Sequence, residues 1–402
     1  MSAIFSNTMF SNTLFSNNVY FDHNSTTVLK TEVLEAMLPF MVHQHGNATS
    51  QHSFGRAARA AVEHAREQVA AAVGAYANQI VFTASGTESN NFAVRGICSN
   101  MEPAINSVPA QILTSAIEHP CVSRPALAMQ TCGYKALSIN VDSNCSINMA
   151  HLQKLLQAPT NLVSVMLANN ETGAIQDIAK IAELAREHKA YVHTDAVQAL
   201  GKIPVDFFAL KVHAMTISSH KIGGPIGAGA LVLDKRIDIQ PLLYGGGQER
   251  GLRSGTENVA AIVGFGTACE LAVSNLIAFD TQTENLRKHL EAGLIKLNAV
   301  IFGHHGLRIP NTSFFALSNL DGETLVTALD KAGFAVASGS ACSSDSGKPS
   351  HVLLAMGVDE DLAKGAVRVS FGINNTLDQV QHFIKTLEQE VNRLRNLTSI
   401  AA

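Results

Sequence analysis

Short apolar runs and longer segments of helical spacing alternate along most of this chain. The runs predict strands at Ile80–Thr83 and at residues 112–117, 162–168, 191–194 and 214–217. Between them, residues 55–73, 88–97, 122–130 and 178–188 space their apolar side chains as one face of a helix. Upstream, residues 20–27 read as a short strand entering a turn, and residues 28–41 as a helix with Pro39 near its end. Such alternation predicts a mainly parallel sheet covered by helices on both faces. Ligands of such sheets bind at the carboxyl ends of the strands. Further on come a helix from about Val259, another over 281–297, strands at 300–302 and Thr312–Ala316, a helix over 322–332 and a strand over 366–372. This pattern divides the 402 residues into an arm over 1–18, a large domain over 19–262 and a smaller one over 263–402.

Composition narrows the class. Hydrophobic residues make up 46% and charged ones 15%, which suits a large core with doubly covered strands. The formal charge of −4 and the lack of any Lys/Arg cluster argue against nucleic acid as the partner. No apolar run approaches the ~20 residues of a membrane span. Six cysteines stand far apart without a CxxC pair, and no basic-then-apolar signal opens the chain, so a reducing, cytoplasmic setting is expected. Three uncharged Phe-Ser-Asn repeats, at Phe5, Phe10 and Phe15, predict a frayed or disordered arm, with a docking peptide as the alternative reading.

The chemistry gathers at predicted strand ends. Ser218-Ser219-His220-Lys221 follows the run 214–217 and leads into Gly223-Gly224-Pro225. Desolvation favours the neutral amine of a lysine, the form that makes a Schiff base with an aldehyde. On this octet alone a solvated loop lysine is an equal reading. Ser85-Gly86-Thr87 turns from strand to helix through small residues, either as a phosphate cradle or simply as a cap. No Walker GxxxxGK[ST] and no GxGxxG after a first strand are present, which disfavours nucleotide and dinucleotide chemistry. Glu118-His119-Pro120, Asn169-Asn170-Glu171 and Asp195 through Gln198 follow three further strands.

Each of these residues has a use around a pyridinium cofactor. Asp195 suits the ring nitrogen, Gln198 and Asn170 offer amides, His119 can stack or move protons, and Ser218, His220 and Thr87 supply donors for a phosphate. This half therefore reads as a pyridoxal 5′-phosphate site. The loop holding His43, His45 and His52 has no carboxylate or cysteine, so it reads as substrate-lining or solvated rather than metal-binding. Residues 245–258, rich in glycine and arginine, serve either as a surface loop or as an anion site reached across a subunit interface. Cys342 stands in a run of Ser and Gly, where an accessible thiol is placed to be a nucleophile; the other five cysteines lie in helical or strand-like segments as small hydrophobes. Arg368, among apolar residues, calls for a buried partner such as a substrate carboxylate.

Taken together, Ser-Ser-His-Lys-Ile, Thr-Asp-Ala-Val-Gln, Asn-Asn-Glu-Thr-Gly, Glu-His-Pro, Gln-Glu-Arg-Gly-x-Arg-Ser-Gly-Thr-Glu-Asn and Ser-Gly-Ser-Ala-Cys-Ser-Ser resemble the cysteine desulfurases of the class V aminotransferase family. The likeness runs from about Tyr20 to about Leu394, and the extended segment around Cys342 is similar to the long-loop subgroup of nitrogenase-associated and housekeeping iron–sulfur enzymes. It implies an α/β chain of the pyridoxal phosphate-dependent fold type I, a seven-stranded large domain with a smaller α+β domain, and a homodimer.

The resemblance also assigns roles. Lys221 is implied as the Schiff-base lysine that moves the α-proton of L-cysteine, His119 as the ring-stacking residue, Asp195 as the ring-nitrogen partner and Gln198 as the donor to the phenolic oxygen. Gly86, Thr87, Ser218 and His220 would hold the phosphate with Thr256 of the neighbouring subunit. Asn170 and Arg368 would hold the substrate carboxylate. Cys342 would take the sulfur as a persulfide and pass it to an acceptor such as an iron–sulfur scaffold, ligating a cluster iron transiently; no metal is implied in the cofactor site. Two departures stand out. Gly223-Gly224-Pro225-Ile226 lacks the expected aromatic and second lysine, and residues 399–402 replace the longer tail with which housekeeping members dock a scaffold, pointing to a specialised or nitrogenase-type member. Rival readings are a selenocysteine lyase or another pyridoxal phosphate reaction on the same scaffold, and a non-catalytic sulfur-relay partner.

Overall fold

The computed structural model describes residues 18–339 and 348–401. Seven strands form the larger sheet: β1 (Ile80–Thr83), β2 (Gln111–Ser115), β3 (Lys135–Ile139), β4 (Thr160–Ser164), β5 (Tyr191–Asp195), β6 (Ala214–Ser218) and β7 (Gly229–Leu233). Their order is β1-β7-β6-β5-β4-β2-β3, with every pairing parallel except those of β7, which runs against both β1 and β6. All residues of β1, β2, β4, β6 and β7 are buried, as expected where helices cover both faces. One face packs on the helices Ser53–Ala72 and Val259–Ser274 through Val62, Val69 and Phe265, and the other on Phe92, Val122 and Met129.

The glycine-rich stretch after Lys221 does not continue as a loop, because β7 begins at Gly229 and closes the sheet against β1. A Cβ at Gly229 would meet the backbone carbon of Ser85 at 2.7 Å, so glycine is required where β7 passes the start of the helix Gly86–Asn91. That helix continues through a π-helical turn at Phe92–Gly96, where a single regular helix was expected. His52 accepts from the Gly55 N–H at 3.2 Å and caps Ser53–Ala72. Among the described residues, no single helix is long and apolar enough to cross a membrane.

A second, antiparallel sheet has the order Val300–Ile301, Thr312–Ala316, Ala366–Ser370, Ala337–Ser338. The N-terminal chain crosses to this side. Val19–Tyr20 pairs with Phe334–Ala335, and the Phe21 ring lies 5.0 Å from Phe371 and 5.6 Å from Phe383, both edge-on. Burying such a ring contributes about 1.5–3 kcal/mol, enough to fix the segment's course. Asp22 through Ser25 are thereby held between the two sheets. There the Asn24 N–H donates to Ser370 Oγ of the second sheet at 2.9 Å, while its side chain donates to Thr312 Oγ1 at 2.8 Å and to the Asn170 carbonyl at 3.2 Å.

Candidate active site

Five strand ends open into one cavity of about 370 Å³. Beyond β1 come Ser85, Gly86, Thr87 and Asn90; beyond β2, His119 and Cys121; beyond β4, Met166, Ala168 and Asn170. Asp195 through Gln198 close β5, and Ser218 through Lys221 close β6. Asn24, Ser25 and Arg368 form the wall on the side of the second sheet. Every residue that the resemblance assigns to cofactor or substrate is here except Thr256 and Cys342, and His43, His45 and His52 do not line the cavity either. Thr256 is exposed in the loop before the helix Val259–Ser274 and does not line the cavity of its own chain. Cys342 lies outside the described residues, but its flanks do not: Gly339 donates to the Ala366 carbonyl at 2.9 Å, and Ser350 Oγ bonds to Glu171, next to the cavity residue Asn170.

Asp195 is a buried charge in this cavity, 6% exposed. Its Oδ1 accepts from the Val197 N–H at 2.9 Å and its Oδ2 from Asn90 Nδ2 at 2.7 Å. Burial pushes its carboxyl up, and those two donors, with His119 and Lys221 nearby, oppose that shift. His119 caps the helix Pro120–Ala128, its Nδ1 accepting from the Cys121 N–H at 3.2 Å and lying 2.8 Å from Cys121 Sγ. Burial lowers the His119 pKa, and it lowers that of His220 to about 4, so both rings are neutral near pH 7. Lys221 is half-buried, its Nζ donating to the carbonyls of Asn24 at 2.7 Å and Ser25 at 2.6 Å.

Several expectations need correction. The buried partner of Arg368 is supplied by the chain itself: Nη2 donates to Asp22 Oδ1 at 2.7 Å and to Ser25 Oγ at 2.9 Å, and Nη1 to the Asn170 carbonyl at 2.9 Å. A substrate carboxylate would share an already anchored guanidinium. The arginines of the 245–258 loop are likewise committed, Arg253 to Glu88 at 2.8 Å and Arg250 to the Ile80 carbonyl at 2.6 Å, so they do not form a free anion site. The remaining cysteines are not all core. Cys121 lines the cavity and Cys132 is exposed, whereas Cys98, Cys145 and Cys269 are buried, Cys145 in a turn at φ 65° instead of a helix or strand. Sequence reasoning missed Asn24, Ser25, Asn90 and Cys121, of which Cys121 alone carried a visible signal by following Glu-His-Pro.

Glu118 lies fully buried behind His119, accepting from the Met166 N–H at 2.7 Å and from Ser115 Oγ. Burial pushes its carboxyl up to about 8 against those two donors, with Asp195 adding to the rise. The native state therefore keeps a proton that the unfolded chain releases above about pH 4.5, so this group's contribution to stability is complete below about pH 4.5 and is lost as the pH rises toward about 8. Glu118→Gln has no proton to lose. Its melting temperature is expected to gain on the wild type steadily from about pH 5 to about pH 8, and parallel melting curves would show that Glu118 does not titrate there.

The cavity fits pyridoxal 5′-phosphate on its own features. Its volume falls in the range of roughly 300–1,000 Å³ usual for small-molecule sites. It holds one oriented carboxylate, and Ser218 Oγ and Asn90 Oδ1 are buried without a hydrogen-bond partner among the described residues, as donors and acceptors awaiting a polar ligand would be. A Cβ at Gly86 would stand 3.0 Å from Val197 Cγ2, tighter than an ordinary contact, so the bare backbone keeps this corner open.

The model of the aminotransferase class-V family matches residues 19–383. A cysteine desulfurase IscS of Dictyoglomus turgidum is 40% identical over 382 residues, 94% of this chain and 96% of that one. A second, from Methanosarcina thermophila, is 39% identical over 95% of this chain and 94% of its own. Among solved structures, a NifS-like protein superposes with a TM-score of 0.87 at 38% identity, covering 93% of this chain and 99% of the other. The structure described as SspA in complex with cysteine gives 0.78 at 29% identity, over 89% and 99%.

Proposed function

Because the chain belongs to the class V aminotransferase family and is a pyridoxal 5′-phosphate-dependent cysteine desulfurase, we propose that the cavity at the strand ends binds L-cysteine beside the cofactor and that Cys342 accepts its sulfur. The observation that carries this reading is the convergence of Lys221, Asp195, His119 and Gln198 in one cavity with the Ser218 hydroxyl, which has no hydrogen-bond partner among the described residues.

When bound, the protonated ring of the cofactor supplies an electron sink for the charge left at the substrate α-carbon. Asp195, held by Val197 and Asn90, keeps a proton on the ring nitrogen. Gln198 donates to the phenolic oxygen, and His119 covers the ring as a neutral imidazole. Ser218, His220, Thr87 and the Gly86 backbone hold the phosphate, joined by Thr256 of a second copy in a homodimer. Arg368 and Asn170 orient the substrate carboxylate. Lys221, as a free amine, would take the α-proton.

Cys342 then attacks as the thiolate. A sulfur–sulfur bond forms between Cys342 Sγ and the substrate sulfur, the carbon–sulfur bond breaks with its electron pair staying on the β-carbon, and protonation of that carbon together with return of a proton to the α-carbon completes alanine. The persulfide left on Cys342 passes its outer sulfur to an acceptor such as an iron–sulfur scaffold.

The reading is tested by giving the purified chain L-cysteine and a thiol reductant. Alanine and sulfide are expected in equal amounts without keto acid. Keto acid without sulfide would make the protein a transaminase instead.

A further inference from the structure

Directly behind the cavity lies a lysine that the mechanism does not use. Lys202 is 3% exposed, and among the described residues no carboxylate pairs with it. A buried ammonium without a counter-charge is costly by several kcal/mol. Burial, reinforced by the charges of Lys221 and Arg368, pushes the Lys202 pKa well below lysine's ordinary value, which favours the neutral amine. Its partners agree. Nζ donates to Asn24 Oδ1 at 2.8 Å and to Gln198 Oε1 at 2.5 Å, two acceptors for the two hydrogens of a neutral amine.

Those two acceptors belong to the residues that shape the cavity wall. Gln198 Nε2 donates to the Asn24 carbonyl at 2.9 Å, and that same carbonyl receives Lys221 Nζ at 2.7 Å. An amide nitrogen has two hydrogens, so one remains for an acceptor in the cavity that Gln198 lines. A carboxamide is nearly symmetric in shape, and its partners decide whether nitrogen or oxygen faces a given group. With Oε1 held from behind, the nitrogen must face forward.

We infer that Lys202 is a positioning residue: by holding Gln198 Oε1 and Asn24 Oδ1 it makes the Gln198 amide present a donor, and never an acceptor, to the phenolic oxygen of bound pyridoxal 5′-phosphate. The inference rests on the role given to Gln198 above. Without Lys202 only the Nε2 bond to the Asn24 carbonyl still resists a turn of the amide, and whenever the oxygen faces that oxyanion it repels it.

The test is a double-mutant cycle on cofactor binding. Cofactor-free wild type, Lys202→Met, Gln198→Leu and the double variant are titrated with pyridoxal 5′-phosphate by equilibrium dialysis, with melting curves to establish folding. Lys202→Met is expected to weaken binding about tenfold where Gln198 is present and less than about twofold where it is leucine. An equal loss in both backgrounds overturns the inference, since a merely structural lysine would act regardless of Gln198. A Gln198→Leu protein that binds as tightly as wild type overturns instead the role of Gln198 and takes the inference with it. Should Lys202→Met fail to fold, Lys202→Gln replaces it in the same cycle, its shorter arm leaving Oε1 unheld while a polar group keeps the buried place, and the same outcomes decide.

Discussion

Lys221→Ala is expected to lower release of alanine from L-cysteine by about 10⁴-fold, the largest effect of any single change in this chain. The amine is the group in the cavity placed to take the α-proton. The Asn24 and Ser25 carbonyls both accept from Nζ and orient it. The nearby imidazoles cannot replace it at low cost: His119 Nδ1 is engaged by Cys121, and His220 Nδ1 contacts Thr26 Oγ1 at 3.2 Å. The measurement is single-turnover alanine formation with enzyme in excess, alongside a melting curve. Half-burial of Lys221 means that truncation leaves the core untouched, so wild-type melting with lost turnover is the expected pair of results. Turnover within about tenfold of wild type would move proton transfer to another residue.

Cys342→Ala is expected to be as severe for sulfur release and silent elsewhere, with a loss of about 10³-fold or more in sulfide formation. No residue that holds the proposed cofactor lies in the segment around Cys342, so cofactor affinity and the visible spectrum should match wild type. The thiol inside the cavity is a poor substitute. Burial pushes Cys121 up to about 12, with Asp195 adding to the rise, so its thiolate is scarce at neutral pH. Comparing sulfide release and cofactor binding in the same preparations checks the prediction. Equal activity of variant and wild type would mean that sulfur leaves the substrate without a thiol at position 342.

Much of this was legible in the sequence because parallel strands announce themselves as apolar runs and their ends as polar clusters. Asp195, Ser218 and Lys221 lie where the runs stop, and the structure brings those ends together. The chain concealed what depends on long-range pairing. β7 begins with a glycine needed for close approach to Ser85, which reads as loop until its neighbours are known. Asn24 and Ser25 reach the cavity because Phe21 is packed among aromatic rings more than three hundred residues away in sequence, Phe334, Phe371 and Phe383. Lys202 follows Gln198 by four positions through turns after β5, and its burial shows only once Asn24 is held against it. Arg368 was recognised as needing a partner, but Asp22 could not be identified as that partner from the sequence.

The most direct test of the account is the mass of the peptide bearing Cys342 after a single turnover of L-cysteine without reductant. The account predicts a peptide heavier by one sulfur atom, restored by a thiol reductant that releases the atom as sulfide. An unmodified Cys342 peptide, with the extra sulfur free in solution or carried by Cys121, would contradict it.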